Sequence, residues 1–276
     1  MLTIASLTFK EALRKKILLA AVILTLLFLA LYSVGIYYSS GNDSIPPGTT
    51  EGIWSTFMLL LGIYFSSSIV SLLAIFSAVG SVSSEVENGM LHAILARPIK
   101  RRDIILGKFT GYALMLSCYS ALLFIAILAI SHYIGEAEIS GLSSAAALFI
   151  LRPLILLAVT ITGSTRLSTL ANGIVAFMLY TVGVVGGMIE QVGAFMNSNV
   201  LGYIGITTSL LMPVDSIYRM ITERIVGLTG DPMSMAFFGP FGTMSPPSNA
   251  MLIYTFIYLI AFVVIAVLSF SRRDIA

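Results

Sequence analysis

Eight of the chain's 28 formally charged residues lie between Ser83 and Lys108, and uncharged apolar runs of membrane length stand on both sides of them. An ionised side chain costs roughly 3 kcal/mol or more at the centre of a bilayer, so eight together cannot lie in hydrocarbon. Residues 83–108 must therefore face water, as a hinge between two spans. The rest of the chain agrees: 58% of it is hydrophobic and only 10% charged, against about 25% charged in soluble domains. A mean hydropathy of +0.99 needs lipid around it. The expected fold class is all-α, a polytopic membrane protein with six transmembrane helices.

Taken in order, residues 1–16 place Leu2, Ala5, Phe9, Ala12 and Leu13 at spacings of three and four, with Thr3, Ser6, Lys10 and Arg14 on another side. That pattern predicts an N-terminal amphipathic interfacial helix, held in the headgroup layer by Lys10, Arg14, Lys15 and Lys16. Read instead as a signal peptide, the same region would end at Ser33-Val34-Gly35, a poor cleavage site. Spans are expected at 17–38, 53–82, 109–133, 143–163, 171–189 and 250–270. The second is too long for a straight crossing, so its inner end should project toward Glu85. The fifth carries Gly173, Gly183, Gly186 and Gly187, whose missing side chains let helices approach closely, and the small-residue face from Gly183 to Gly187 would also allow pairing of identical chains. Residues 190–249 form an outer segment before span six. Val200–Met212 is too short to cross, and Pro213 stops it, which predicts a re-entrant or interfacial helix followed by an amphipathic piece from Asp215 to Val226.

Six spans put both termini on one side. In this topology twelve of the fifteen basic residues share that side, and only Arg152, Arg219 and Arg224 do not. The asymmetry identifies it as cytoplasmic, so the expectation is a multi-pass cell-membrane protein with both ends inside.

Enzyme signatures are mostly lacking. Gly107-Lys108-Phe109-Thr110 resembles the end of a phosphate loop, but Arg102 stands where the first glycine belongs and Phe109 where the hydroxyl belongs. His92 and His132 fall on opposite sides of the membrane and cannot share a metal. Cys118 lies inside an apolar run and fits a buried small hydrophobe. Seven of thirteen methionines, from Met188 to Met244, gather in the outer segment. Thioethers suit Cu(I), but methionine is also an ordinary filler of flexible apolar surfaces, so no metal is assigned. Arg152, beside Pro153 within span four, is a candidate intramembrane functional residue. The structural alternative is that it snorkels from the outer half or ties to Glu190 or Glu138.

The hinge is more informative. From Glu85 to Ala96 the apolar Val86, Met90, Leu91, Ile94 and Leu95 recur at helical spacing, and Arg97-Pro98 closes the turn. On residue physics alone this is either a short helix that docks in a partner's groove or a solvated loop with an interfacial stripe. The run Glu85-Val86-Glu87-Asn88-Gly89-Met90-Leu91, then Leu95-Ala96-Arg97-Pro98-Ile99 and Arg101 to Lys108, resembles the hinge of ABC-2 type transporter permease subunits. The branch it is most similar to includes the copper-maturation permease of nitrous oxide reductase. Six spans, the N-terminal helix, Leu211-Met212-Pro213-Val214-Asp215 with Tyr218-Arg219, and terminal Arg272-Arg273-Asp274 extend the resemblance over the whole chain.

The resemblance implies a dimeric transport subunit, made of two copies or of two related permeases, that is not itself an enzyme. It implies export driven by two separately encoded ATPase subunits, which bind the ATP and magnesium, so that no cofactor is bound by this chain. The hinge becomes the coupling helix, with Glu85, Glu87, Gly89, Leu91, Arg97, Pro98 and Arg101 at the ATPase interface. A gradient-driven transporter or channel is the alternative. It would normally place acids inside spans, and the expected spans one, two, three and six contain none. A net charge of +2 gives nucleic acid no purchase.

Overall fold

The computed structural model describes residues 1–41, 51–88, 100–135, 141–226, 238, 241–243 and 246–272. The described residues are helical, with no strand among them. The helices are α1 (Leu2–Arg14), α2 (Lys16–Gly41), α3 (Glu51–Ala78), α4 (Ser83–Glu87), α5 (Arg101–Tyr133), α6 (Leu142–Ser164), α7 (Thr169–Phe195), α8 (Asn199–Leu211), α9 (Val214–Val226) and α10 (Asn249–Ser271). Six of them are long and apolar enough to cross a membrane, α3 and α4 counting together as one span from Trp54 to Glu87.

The core lies where α3, α5 and α6 meet. In α6 every residue from Leu151 to Ile161 is buried except Leu154, so this helix has no lipid face over three turns. α2 and α10 run along the outside and keep apolar side chains such as Leu26, Leu31, Ile257 and Ile260 exposed, as lipid-facing helices do. Polar residues inside α3 are satisfied locally. Ser66, Ser67 and Ser71 donate to carbonyls three or four residues back, at 2.7–3.0 Å, which lets small side chains line a tight helix contact at no hydrogen-bonding cost.

α5 starts at Arg101, about two turns before the expected Phe109. Those extra turns are possible because α1 lies directly on them: a side chain at Gly107 would come within 2.7 Å of Ile4, and one at Gly111 within 2.7 Å of the Ala5 carbonyl oxygen. The Gly107-Lys108 pair is thus a helix-packing feature. The second span likewise runs to Glu87, five residues past its expected end at Val82.

Beyond the C-terminal end of α7 the chain turns through Asn197, at φ 52°, and α8 runs back along α7. At 13 residues α8 is about 20 Å long, too short to cross. It then bends by 103° into α9. Pro213, at the break, can neither continue α8 nor donate a backbone hydrogen bond. A glycine seam makes the return possible. A Cβ at Gly186 would overlap Thr208 and one at Gly183 would sit 2.9 Å from the Met212 carbonyl oxygen, while one at Gly187 would strike the Asp215 carboxylate. These three glycines are buried within the chain, so they are not a face for a second copy, which corrects the sequence expectation.

Candidate functional site

The helix of the second span stops at Ala78 and resumes at Ser83. A break in a buried helix exposes carbonyls that lose their helical partners, and they must find others in the protein. Here three other segments supply them. Lys15, between α1 and α2, donates to the Ser77 carbonyl at 3.3 Å. Asn172 of α7 donates to the Val79 carbonyl at 2.8 Å and also to Thr160 of α6 at 3.0 Å. Lys108 of α5 donates to the Ser81 carbonyl. The Ser81 hydroxyl meets that of Ser164, at the end of α6, at 3.1 Å.

Two acids follow immediately. Glu85 pairs with the buried Lys108 at 2.5 Å. Glu87 accepts from the backbone N–H of Thr169 at 3.1 Å and from its hydroxyl at 3.2 Å. Thr169 opens α7, so the Glu87 carboxylate caps the positive end of a 27-residue helix. Ser83 adds a hydroxyl contact to Thr169 at 2.8 Å. One layer further in, Lys15 lies 2.6 Å from the Tyr112 hydroxyl of α5 and 3.4 Å from Glu11 of α1. Burial alone would push the Lys15 pKa down, but the Tyr112 and Glu11 oxygens outweigh it and hold the ammonium above the ordinary lysine value.

The site residues expected from sequence divide in two. Glu85 and Glu87 both turn toward the bundle, one to α5 and the other to α7. Arg101 donates to the Ser271 carbonyl, at the end of α10, at 3.4 Å. Gly89, Leu91, Arg97 and Pro98 lie outside the described residues, as does His92. Lys108, Lys15, Asn172 and Thr169 were not singled out from sequence for this site. The available signal for Lys108 was its place two turns inside a helix whose other cations cluster at the very start.

At the opposite end of the bundle a second polar group forms around the α8–α9 bend. Arg219 grips Glu190 of α7 with both terminal nitrogens, at 2.8 and 2.7 Å, and its Nε stands 3.1 Å from Asp215, one turn back. Ser209 of α8 also donates to Glu190, at 3.2 Å. Arg152 is 1% exposed, donates to the Ser67 hydroxyl and lies 5.7 Å from the Tyr218 ring. It neither snorkels nor pairs with Glu190, because Arg219 already occupies that carboxylate; Glu138 lies outside the described residues. Among the described residues no group of three or more His, Cys, Asp and Glu side chains could hold a metal ion. Met212 and Met220 are buried packing residues of this end, while Met233, Met235 and Met244 lie outside the described residues.

A family model described as "ABC-2 family transporter protein" matches residues 2–275, which covers the interfacial helix, all six spans and the broken second span together. The chain belongs to the ABC-2 transporter family. The match is at the level of the family. As an ABC-2 protein the chain is the multi-pass membrane permease component of an ABC transporter, a transport subunit that associates with an ATPase subunit. No curated protein matches it in sequence.

Proposed function

We propose that this permease exports its substrate as one half of a dimer, driven by two separately encoded ATPase subunits that dock on the segment between α4 and α5. ATP and magnesium belong to those subunits. The observation that carries the reading is the wiring of the break at 79–82, where α5, α6, α7 and the α1–α2 junction all close on the stretch that leads into this segment. Closure of the ATPases on nucleotide would displace the segment. The Glu85–Lys108 pair passes that displacement to α5, and the Glu87–Thr169 contact passes it to α7.

α7 is suited to carry it further. Its 27 residues span about 40 Å, its outer half is locked to α8 through the glycine seam, and Glu190 near its outer end grips Arg219 of α9. A tilt imposed at Thr169 therefore moves the outer segment as one body. The permease itself need only be bistable, since nucleotide supplies the difference in free energy between its states.

In this reading both termini are cytoplasmic. Lys15, Arg101, Lys108 and Arg166 all make their contacts at the end of the bundle that holds the break. A gradient-driven mechanism would require an acid inside the bundle left free to take an ion, and the buried Asp215 and largely buried Glu190 are both committed to Arg219.

The test is co-expression with a candidate ATPase subunit, purification, and ATP hydrolysis and transport in lipid vesicles. Leu91→Asp with Arg97→Glu should lose the complex. Glu85→Gln should keep the complex and dissociate hydrolysis from transport. Failure of the wild-type chain to hold any such subunit would remove the proposal.

A further inference from the structure

At the basic end of the bundle, α1 and the residue after it border an open groove of about 490 Å³ lined by Leu7, Lys10, Glu11, Arg14 and Lys15. Three cations and one acid leave two positive charges in it. Glu11 is already paired with Lys15, and Lys15 is drawn inward by Tyr112 and the Ser77 carbonyl. Lys10 and Arg14 are exposed and pair with no carboxylate among the described residues. They stand four apart on α1, the spacing that puts two side chains on one helix face within reach of the same small anion. The groove is not purely polar. Leu7 is 63% exposed within it, and Leu13 of α1 and Ile17 and Leu19 of α2 are exposed apolar side chains near it in the chain. A free inorganic anion has no use for that surface. A ligand with an anionic head and hydrocarbon tails uses both parts.

We propose that this groove binds the phosphate headgroup of an anionic phospholipid. Lys10 and Arg14 contact the phosphate, and the acyl chains lie along Leu7 and the exposed side of α2. α1 packs on the first turns of α5, at Gly107 and Gly111, beside the end of a span, and a helix of mixed character settles in the headgroup layer. The bound lipid would lie one residue from the coupling end, because Lys15 joins the groove to the Ser77 carbonyl at the edge of the span break. The inference holds whatever the permease transports, and its test reads lipid binding without the ATPase.

The purified full chain in neutral detergent is titrated with phosphatidylglycerol, with phosphatidylcholine and with inorganic phosphate, and bound lipid is read by native mass spectrometry alongside the melting temperature. Phosphatidylglycerol should bind and raise the melting temperature, and the other two should do neither. Lys10→Gln with Arg14→Gln should weaken phosphatidylglycerol roughly 30-fold, the loss expected for two cations at a lipid surface. The charge-preserving Lys10→Arg with Arg14→Lys should retain most of the binding, which separates loss of the site from loss of the fold. Lys100→Gln with Arg102→Gln, basic residues outside the groove, should bind as wild type does. Equal weakening by that control pair would reduce the effect to the general charge of this end and overturn the site. Undiminished binding by the Gln pair, or equal binding of phosphatidylcholine, would overturn it too, and tight binding of inorganic phosphate would make it a free-anion site.

Discussion

The Lys108 ammonium lies 2.5 Å from the Glu85 carboxylate across the junction of the second and third spans, and also donates to the Ser81 carbonyl in the break between α3 and α4. One buried side chain thus holds both a helix break and the acid that follows it. Lys108→Met would leave Glu85 largely buried and unpaired, and would free the Ser81 carbonyl. Breaking one side of such a pair costs about 3–5 kcal/mol when fully buried, and about 2–3 kcal/mol here because Glu85 keeps some access to water. Melting of the purified chain should show that loss. Lys108→Met with Glu85→Leu should recover much of it, and simple additivity of the two changes would mean that the residues do not act as a pair.

Glu87 acts on α7 from outside that helix. Glu87→Ala removes an acceptor from the Thr169 N–H and a negative charge from the helix N-terminus, effects that together amount to about 1 kcal/mol at an exposed position. Stability should therefore barely change, whereas coupling of ATP hydrolysis to transport should fall clearly. Glu87→Gln keeps an acceptor and should fall between the two. A loss of coupling that merely tracked a large drop in melting temperature would count against the strut role of α7.

The glycine seam separates space that is filled from space that is open. At Gly186 an added methyl would overlap Thr208, including its Cβ, so rotation of the threonine cannot clear it. Gly186→Ala should push α7 and α8 apart at a cost of about 3 kcal/mol. Pairing it with Thr208→Gly should restore much of the loss. At Gly35 nothing lies within 4 Å, so Gly35→Ala should be neutral or stabilising by up to about 1 kcal/mol. If both single variants melted alike, the close approach of α7 and α8 would be wrong.

Much of this architecture is legible in the sequence because length and hydropathy are local properties. An apolar run of twenty residues, a proline at 213 or a cluster of cations beside a span each states its consequence without reference to any other part of the chain. Charge pairing is not local. Arg152 and Arg219 look equally able to take Glu190. What decides is that α8 folds back along α7 and bends at Pro213, which brings Arg219 to that carboxylate and leaves Arg152 facing Ser67 and Tyr218. Lys108 was hidden for the same reason: in sequence it closes a run of cations that face water, and only the packing of α1 over Gly107 and Gly111 shows that helix already enclosed there. Glu85 and Glu87 were expected together at the ATPase interface. Two residues apart on one short helix, they point to different neighbours, α5 and α7, which spacing alone cannot tell from a shared outward face.

The two buried arginines should respond differently to loss of charge. Arg219→Met strands Glu190 and Asp215 together at the α8–α9 bend, and an unpaired buried carboxylate costs about 3–5 kcal/mol, so the outer segment should detach or the chain fail to assemble. Adding Glu190→Gln should return part of that loss. Arg152→Met leaves only the Ser67 hydroxyl without its donor and removes a cation from beside the Tyr218 ring, about 1–2 kcal/mol in all. The melting temperature of Arg152→Met should thus stay near that of the wild type, and transport should survive if Arg152 serves packing alone. A variant that assembles and melts normally but no longer transports would instead make Arg152 part of the substrate path, since its Nε is buried without a hydrogen-bond partner among the described residues and can donate to a passing acceptor. Equal collapse of both variants would mean that Ser67, Arg152, Tyr218, Asp215, Arg219 and Glu190 work as one unit, with the α3 and α6 core as dependent on the outer segment as α9 is.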